Sequence, residues 1–139
     1  MVVGTVIQGS TSQVRHVASV PSAAVIIHVR STSGFWIHKD FQDRLVWLWT
    51  EVAKHYKDNP WVAGYNPMNE PADPHGTGLV RFYDRLFEAI RGVDENHILF
   101  LDGNTYSIDF SAFPDDAKER WDNTAYAIHD VSFLRIDHM

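Results

Sequence analysis

Three short polar clusters hold the chemistry of this chain: Asn69 with Glu70, Asp102 with Asn104, and His129 with Asp130. Carboxyl and imidazole groups move protons, and amides hold hydroxyl groups, so the set suits acid–base chemistry at a bound ligand. Asn, Asp, Gly and Pro are also turn formers, which accounts for Asp102-Gly103-Asn104. It accounts less well for Glu70 and His129, neither of which is a strong turn residue. Other chemistries lack their residues. There is no cysteine, so no disulfide framework, thiolate metal site or cysteine nucleophile. There are eight histidines but no His-Glu-x-x-His pattern. His55, His75 and His97 fall on different predicted elements, and surface or core positions are expected for them rather than a metal site. Gly76-Thr77-Gly78 lacks the Lys-Ser/Thr of a phosphate loop, and no Gly-x-Ser-x-Gly elbow occurs. No metal or cofactor is expected.

The elements that position the three clusters follow from periodicity. Phe41, Leu45, Leu48, Trp49, Val52 and Tyr56 recur at helical spacing, with Asp40 and Asp43 near the helix start, where the dipole favours negative charge. Asp58-Asn59-Pro60 stops that helix. Trp61 to Met68 reads as a buried strand, slightly weakened by Gly64. Leu79, Phe82, Tyr83, Leu86, Phe87 and Ile90 form a second helical stripe, closed by Gly92. His97 to Leu101 reads as a strand, a poorly periodic segment runs through Trp121, and Thr124 to Ile128 reads as a third strand. The β-branched run Ala24 to Val29 predicts a further strand near the front. Strands that alternate with helices make βαβ units and a parallel sheet. In such architectures the ligand sits at the carboxyl ends of the strands. Each polar cluster directly follows a predicted strand, so all three converge on one face. Eight such units close a barrel of about 250 residues, and 139 residues hold about half of that. The chain is either a small open α/β sheet or a piece of a barrel.

Composition narrows the function classes. The formal net charge is −6 with no basic run, which argues against a nucleic acid partner. The most apolar stretch near the front, Ala23-Ala24-Val25-Ile26-Ile27, is far too short to span a bilayer, so no membrane partner is expected. The start has neither a basic region nor the apolar run of a signal peptide, and the compartment stays open. Residues 1–34 hold no aromatic and no acidic residue. They are either a pair of strands with a linker or a segment from outside the evolutionary unit that follows. Asp115-Asp116-Ala117-Lys118-Glu119-Arg120 reads as a solvated face.

The segment Tyr65-Asn66-Pro67-Met68-Asn69-Glu70-Pro71 resembles the Asn-Glu-Pro signature of glycoside hydrolase family five, the cellulase-like branch of a large barrel clan. Phe41-Gln42-Asp43-Arg44, Trp47-Leu48-Trp49, His55-Tyr56-Lys57-Asp58-Asn59-Pro60 and Val62-Ala63-Gly64-Tyr65 resemble the helix and strand before that glutamate. Phe82 to Leu101 resembles the next helix and strand, and Tyr126-Ala127-Ile128-His129 resembles the sixth strand. The resemblance implies a truncated member: a partial (β/α)8 TIM barrel covering about strands four to six with their helices. It spans residues 35–132, with residues 1–34 poorly matched and residues 133–139 an unmatched tail. It implies that Glu70 is the general acid/base, that Asn69 hydrogen-bonds the sugar 2-hydroxyl, and that His129 lies near the bound sugar. Tyr106 is a candidate to stack on a sugar face, beside the simpler reading of a core or loop tyrosine. The implied partner is an oligo- or polysaccharide, and the implied reaction is retaining hydrolysis of β-linked glucans.

The departures from the family pattern concern the second carboxylate. The retaining mechanism needs two, about 5 to 5.5 Å apart. The family's nucleophile is a glutamate at the end of the seventh strand, and here no glutamate follows Glu119. Asp102 and Asp130 are the only carboxylates placed to substitute, and neither matches the family nucleophile. The family often has a tyrosine two residues after the histidine, where this chain has Val131. His28 is a poor match to an early-strand residue of the family. Two expectations follow: a glycoside hydrolase fragment inactive alone, or a non-catalytic carbohydrate-binding or subunit-pairing remnant. A half barrel has open strand edges, and these invite self-association.

Overall fold

A computed structural model describes residues 23–26 and 33–129 of the chain, with side chains from residue 34. His28, Asp130, Val131 and the tail at 133–139 lie outside the described residues, as do positions 27–29 of the strand predicted at the front.

The order is β1 (Ala23–Ile26), α1 (Ser33–Ile37), α2 (Lys39–Tyr56), β2 (Val62–Asn66), α3 (Thr77–Arg91), β3 (Ile98–Asp102), α4 (Asn104–Ser107), α5 (Ala117–Arg120) and β4 (Thr124–Ala127). The four strands form one sheet in the order β1-β2-β3-β4, and each neighbouring pair is parallel. Sequential parallel strands with helical crossovers are the repeating unit of a β/α barrel. β1 adds a strand before the three that lead into the polar clusters.

The helices form as their spacing predicts. In α2, Leu45, Trp49 and Ala53 are buried at intervals of four, and the exposed Lys39–Asp43 pair bridges its first turn. Phe41 departs from the expected apolar face: it is 51% exposed. The Phe41 ring meets His38 edge-on at 5.8 Å, at the helix start, instead of entering the core. In α3, Leu79, Phe82, Tyr83, Leu86 and Ile90 are all buried, while Phe87 is half-buried under the Arg91 guanidinium. Asp73 ties down the start of α3, its carboxylate accepting from the Gly78 and Leu79 N–H groups at 2.7 and 3.0 Å. Gly92 ends the helix in a right-handed conformation, not the left-handed one glycine often supplies there.

Strand alternation separates the two faces of the sheet. Tyr65, Leu99 and Leu101 join the buried cluster with the helices, and the Tyr65 ring lies 6.0 Å from Trp49. Gly64, Asn66, Ile98, Phe100 and Asp102 alternate with them. Gly64 has a specific reason to lack a side chain: a Cβ there would lie 2.1 Å from the Ile98 carbonyl oxygen and 2.9 Å from the Phe100 ring. The segment between β3 and β4 packs through aromatic edges, with Phe113 meeting Tyr83, Trp121 and Tyr126. Trp121 is buried and donates its indole N–H to Asp84 at 3.0 Å. No helix among the described residues is long and apolar enough to cross a membrane.

Candidate active site

The carboxyl ends of β2, β3 and β4 bring Glu70, Asp102 and His129 together. Glu70 follows β2 by four residues and adopts a left-handed conformation, φ 49°. For a residue with a Cβ that conformation costs about 1 kcal/mol, so something must hold it. The Glu70 N–H donates to Asp102 Oδ2 at 2.8 Å. The indole of Trp49, fully buried, donates to the Pro67 carbonyl at 2.9 Å and fixes the chain leaving β2. The Glu70 carboxyl is then 2.9 Å from His129 Nδ1, within hydrogen-bond range. Its side chain is 41% exposed, against 17% for His129, so the carboxyl stays open to a ligand.

Asp102 is the least exposed member, at 0%. Its Oδ1 accepts from Asn66 Nδ2 at 2.7 Å, and its Oδ2 accepts from the Glu70 N–H and the Ser107 hydroxyl. The same Oδ2 lies 3.5 Å from His129 Nε2. Its carbonyl accepts from the Tyr83 hydroxyl at 2.9 Å. Burial, and then the negative charge of Asp102, push the Tyr83 hydroxyl far above the ordinary tyrosine range, so it remains a donor. Ser107 reaches Asp102 because Thr105, Tyr106 and Ser107 all have positive φ, from 51° to 69°. Asn66 Oδ1 is buried without a partner among the described residues.

The structure thus brings two of the expected residues, Glu70 and His129, into direct contact. Asn69 is half-buried beside Glu70 in the chain. Tyr106 is anchored nearby, its N–H donating to the Pro71 carbonyl at 3.3 Å, and the residue is 63% exposed. It is an exposed tyrosine rather than a core one. Asp102 does not suit the role of a substitute second carboxylate: it has no exposure, and both oxygens already accept hydrogen bonds. Two contributors, Asn66 and Ser107, escaped the sequence reading. The signal for Asn66 was an amide ending an otherwise apolar strand; for Ser107 nothing local pointed to the contact.

The opposite end of the sheet has a separate network. The Tyr65 hydroxyl donates to Asp94 Oδ2 at 2.5 Å, and His97 Nδ1 lies 2.7 Å from the same oxygen. Grooves of about 260 and 290 Å³ open there, lined in part by Lys57, Asp58 and Asn96. They lie between connecting turns, away from the carboxyl ends of the strands. Among the described residues, no group of three or more His, Asp or Glu side chains is placed to hold a metal.

Comparison with known proteins gives the family and the fold. Residues 23–134 match the family model described as Cellulase (glycosyl hydrolase family 5). A β-xylosidase of Phanerodontia chrysosporium is 64% identical over 98 residues, which cover 70% of this chain and 20% of the relative. An endoglycoceramidase of Hydra vulgaris is 34% identical over 79 residues, covering 47% of this chain and 15% of the relative. The chain therefore spans about a fifth or less of the length of these relatives. Among solved structures, a β-glucanase from Saccharophagus degradans superposes with a TM-score of 0.64 at 21% identity, over 78% of this chain and 36% of that one. Endoglucanase Cel5A from Thermotoga maritima gives 0.60 at 18% identity, over 74% of this chain and 33% of that one. These superpositions show the fold: four parallel strands and their helices are part of a β/α barrel.

Proposed function

The chain belongs to the cellulase family, glycosyl hydrolase family 5, and on that premise we propose that it carries the acid/base half of a retaining glycosidase site. In this reading Glu70 protonates the departing glycosidic oxygen and later takes a proton from water. Asn69 hydrogen-bonds the sugar 2-hydroxyl, His129 orients the Glu70 carboxyl, and Tyr106 offers an aromatic face to a sugar ring. The substrate is a β-linked glucan. The observation that supports this best is the contact between the half-exposed Glu70 carboxyl and the His129 ring, at the carboxyl ends of parallel strands.

A second reading is a non-catalytic carbohydrate-binding or subunit-pairing remnant, with self-association along the edges of β1 and β4. The engaged state of Asp102 favours it, since the buried carboxylate that contacts Glu70 is not free to attack an anomeric carbon.

Hydrolysis with an added nucleophile separates the two. The chain alone is expected not to hydrolyse natural β-glucan. Azide can attack the anomeric carbon in place of a carboxylate, forming a C–N bond as the C–O bond breaks and Glu70 protonates the departing oxygen. Azide-dependent release from phenyl β-cellobioside is expected. Glu70→Gln should slow it about 100-fold, with a smaller loss for a nitrophenyl group that leaves without protonation. A folded chain with no Glu70-dependent release supports the second reading instead.

A further inference from the structure

We infer that Asp102 is a positioning residue for Glu70: its buried carboxylate holds the Glu70 main chain in the left-handed conformation and sets the face of His129 that meets the Glu70 carboxyl. The inference rests on the reading of Glu70 as acid/base and adds a residue to it. Asp102 ends β3, yet it bonds to β2 through Asn66, to the turn after β2 through the Glu70 N–H, and to the turn after β3 through Ser107. Its Oδ2 faces the far nitrogen of the ring whose near nitrogen meets Glu70, at 3.5 Å. One carboxylate therefore touches both attachments of Glu70: the amide that fixes its backbone and the imidazole that fixes its side chain. A residue needed only for folding would have no reason to meet both. Three consecutive left-handed residues deliver the Ser107 hydroxyl to the same oxygen, a costly backbone run whose product is this contact.

The unpartnered Asn66 Oδ1 makes a gentle variant available. In Asp102→Asn, the Asn66 amide can turn over and accept from the new side-chain N–H, while the new carbonyl oxygen still accepts from Glu70. Asp102→Ala keeps no acceptor at all.

The test uses the full 139-residue chain, with amide hydrogen exchange at Glu70, the ¹⁵N resonances of the His129 ring, and the azide-dependent rate. In Asp102→Ala, the Glu70 amide should exchange about 30-fold faster, the effect of one hydrogen bond to an ionised group, while Leu99 and Leu101 keep their protection. The azide-dependent rate should fall at least about tenfold through kcat, with KM little changed. Asp102→Asn should return most of the amide protection but not the wild-type His129 resonances, because the charge facing Nε2 is gone. Should Asp102→Ala fail to fold, Asp102→Asn still decides the matter through the His129 resonances, since it keeps an acceptor for the Glu70 N–H while removing the charge that faces Nε2. Unchanged His129 resonances in Asp102→Asn, or unchanged Glu70 exchange in Asp102→Ala, overturn the positioning role. Equal loss of protection at Leu99 and Leu101 overturns it too, by showing a role in the whole fold. Wild-type chain without Glu70-dependent turnover overturns the acid/base reading instead, and the exchange data then describe architecture only.

Discussion

Replacing Gly64 by Ala should break the sheet that aligns the site. β2 and β3 pair through Gly64↔Ile98 and Tyr65↔Leu99. An added methyl at residue 64 would sit 2.1 Å from the Ile98 carbonyl oxygen and 2.9 Å from its carbonyl carbon. Ordinary contact needs about 3.2 Å or more, so the strands must separate by about 1 Å. The Phe100 ring, also at 2.9 Å, can swing aside, but the Ile98 carbonyl is main chain and cannot. Overpacking costs about 1–3 kcal/mol where side chains can yield, and a strained strand hydrogen bond adds about 1 kcal/mol. The lower unfolded-state entropy of Ala returns about 0.4–1 kcal/mol. The net expectation is a loss of about 2–3 kcal/mol, a large share of the stability of a small domain. Urea denaturation followed by far-ultraviolet circular dichroism measures it. Gly76→Ala is the comparison: φ there is 71° but the nearest obstacle is the Ala112 methyl at 3.6 Å, so only backbone strain of about 1 kcal/mol opposes it, partly offset by the same entropy return. If Gly64→Ala costs no more than Gly76→Ala, the steric reasoning is wrong.

Three further outcomes are expected. Trp49→Phe should cost about 2–4 kcal/mol by denaturation, since it removes the donor to the Pro67 carbonyl and leaves a gap in the core. Stability should fall in acid as Asp94 takes up a proton. Burial alone would raise that carboxyl, but the Tyr65 hydroxyl and the Asn96 and His97 N–H groups outweigh it and hold it below the ordinary 3.8. A depressed carboxyl contributes stability above its unfolded-state pKa and loses it as pH falls through the folded one. Tyr65→Phe, which removes the first of those donors, should raise the pH of acid unfolding in a titration followed by tryptophan fluorescence. Tyr106→Ala should weaken cellobiose binding by about five- to tenfold in calorimetry and leave the melting temperature unchanged, because the residue is 63% exposed.

Much of this was legible from local pattern. The stripes around Leu45–Trp49 and Leu79–Ile90 mark α2 and α3 because one face of each is buried at helical spacing. The strand ends pointed to Glu70 and His129 because a parallel sheet places such ends together. Phe41 misled, since its spacing fits the buried face while its place in the first turn puts it at the rim. Gly64 reads from sequence as a weak point in a strand; it is instead the place where two backbones approach closely. Asp102 was least legible. Asp-Gly-Asn is a sound turn signal, and nothing local shows that the same carboxylate is buried among Asn66, Glu70 and Ser107. Hydrogen bonds between residues more than thirty positions apart have no local signature, and neither does the left-handed run that delivers Ser107.

The most direct test of the central claim is to map the ester formed when an epoxypropyl β-cellobioside is incubated with the intact chain. A carboxylate held beside the glycosidic oxygen opens the epoxide and keeps the sugar, and peptide mass spectrometry locates the bond. The account predicts a single ester on Glu70, lost in Glu70→Gln and blocked by cellobiose. An ester on another carboxylate, or one that survives Glu70→Gln, would contradict it.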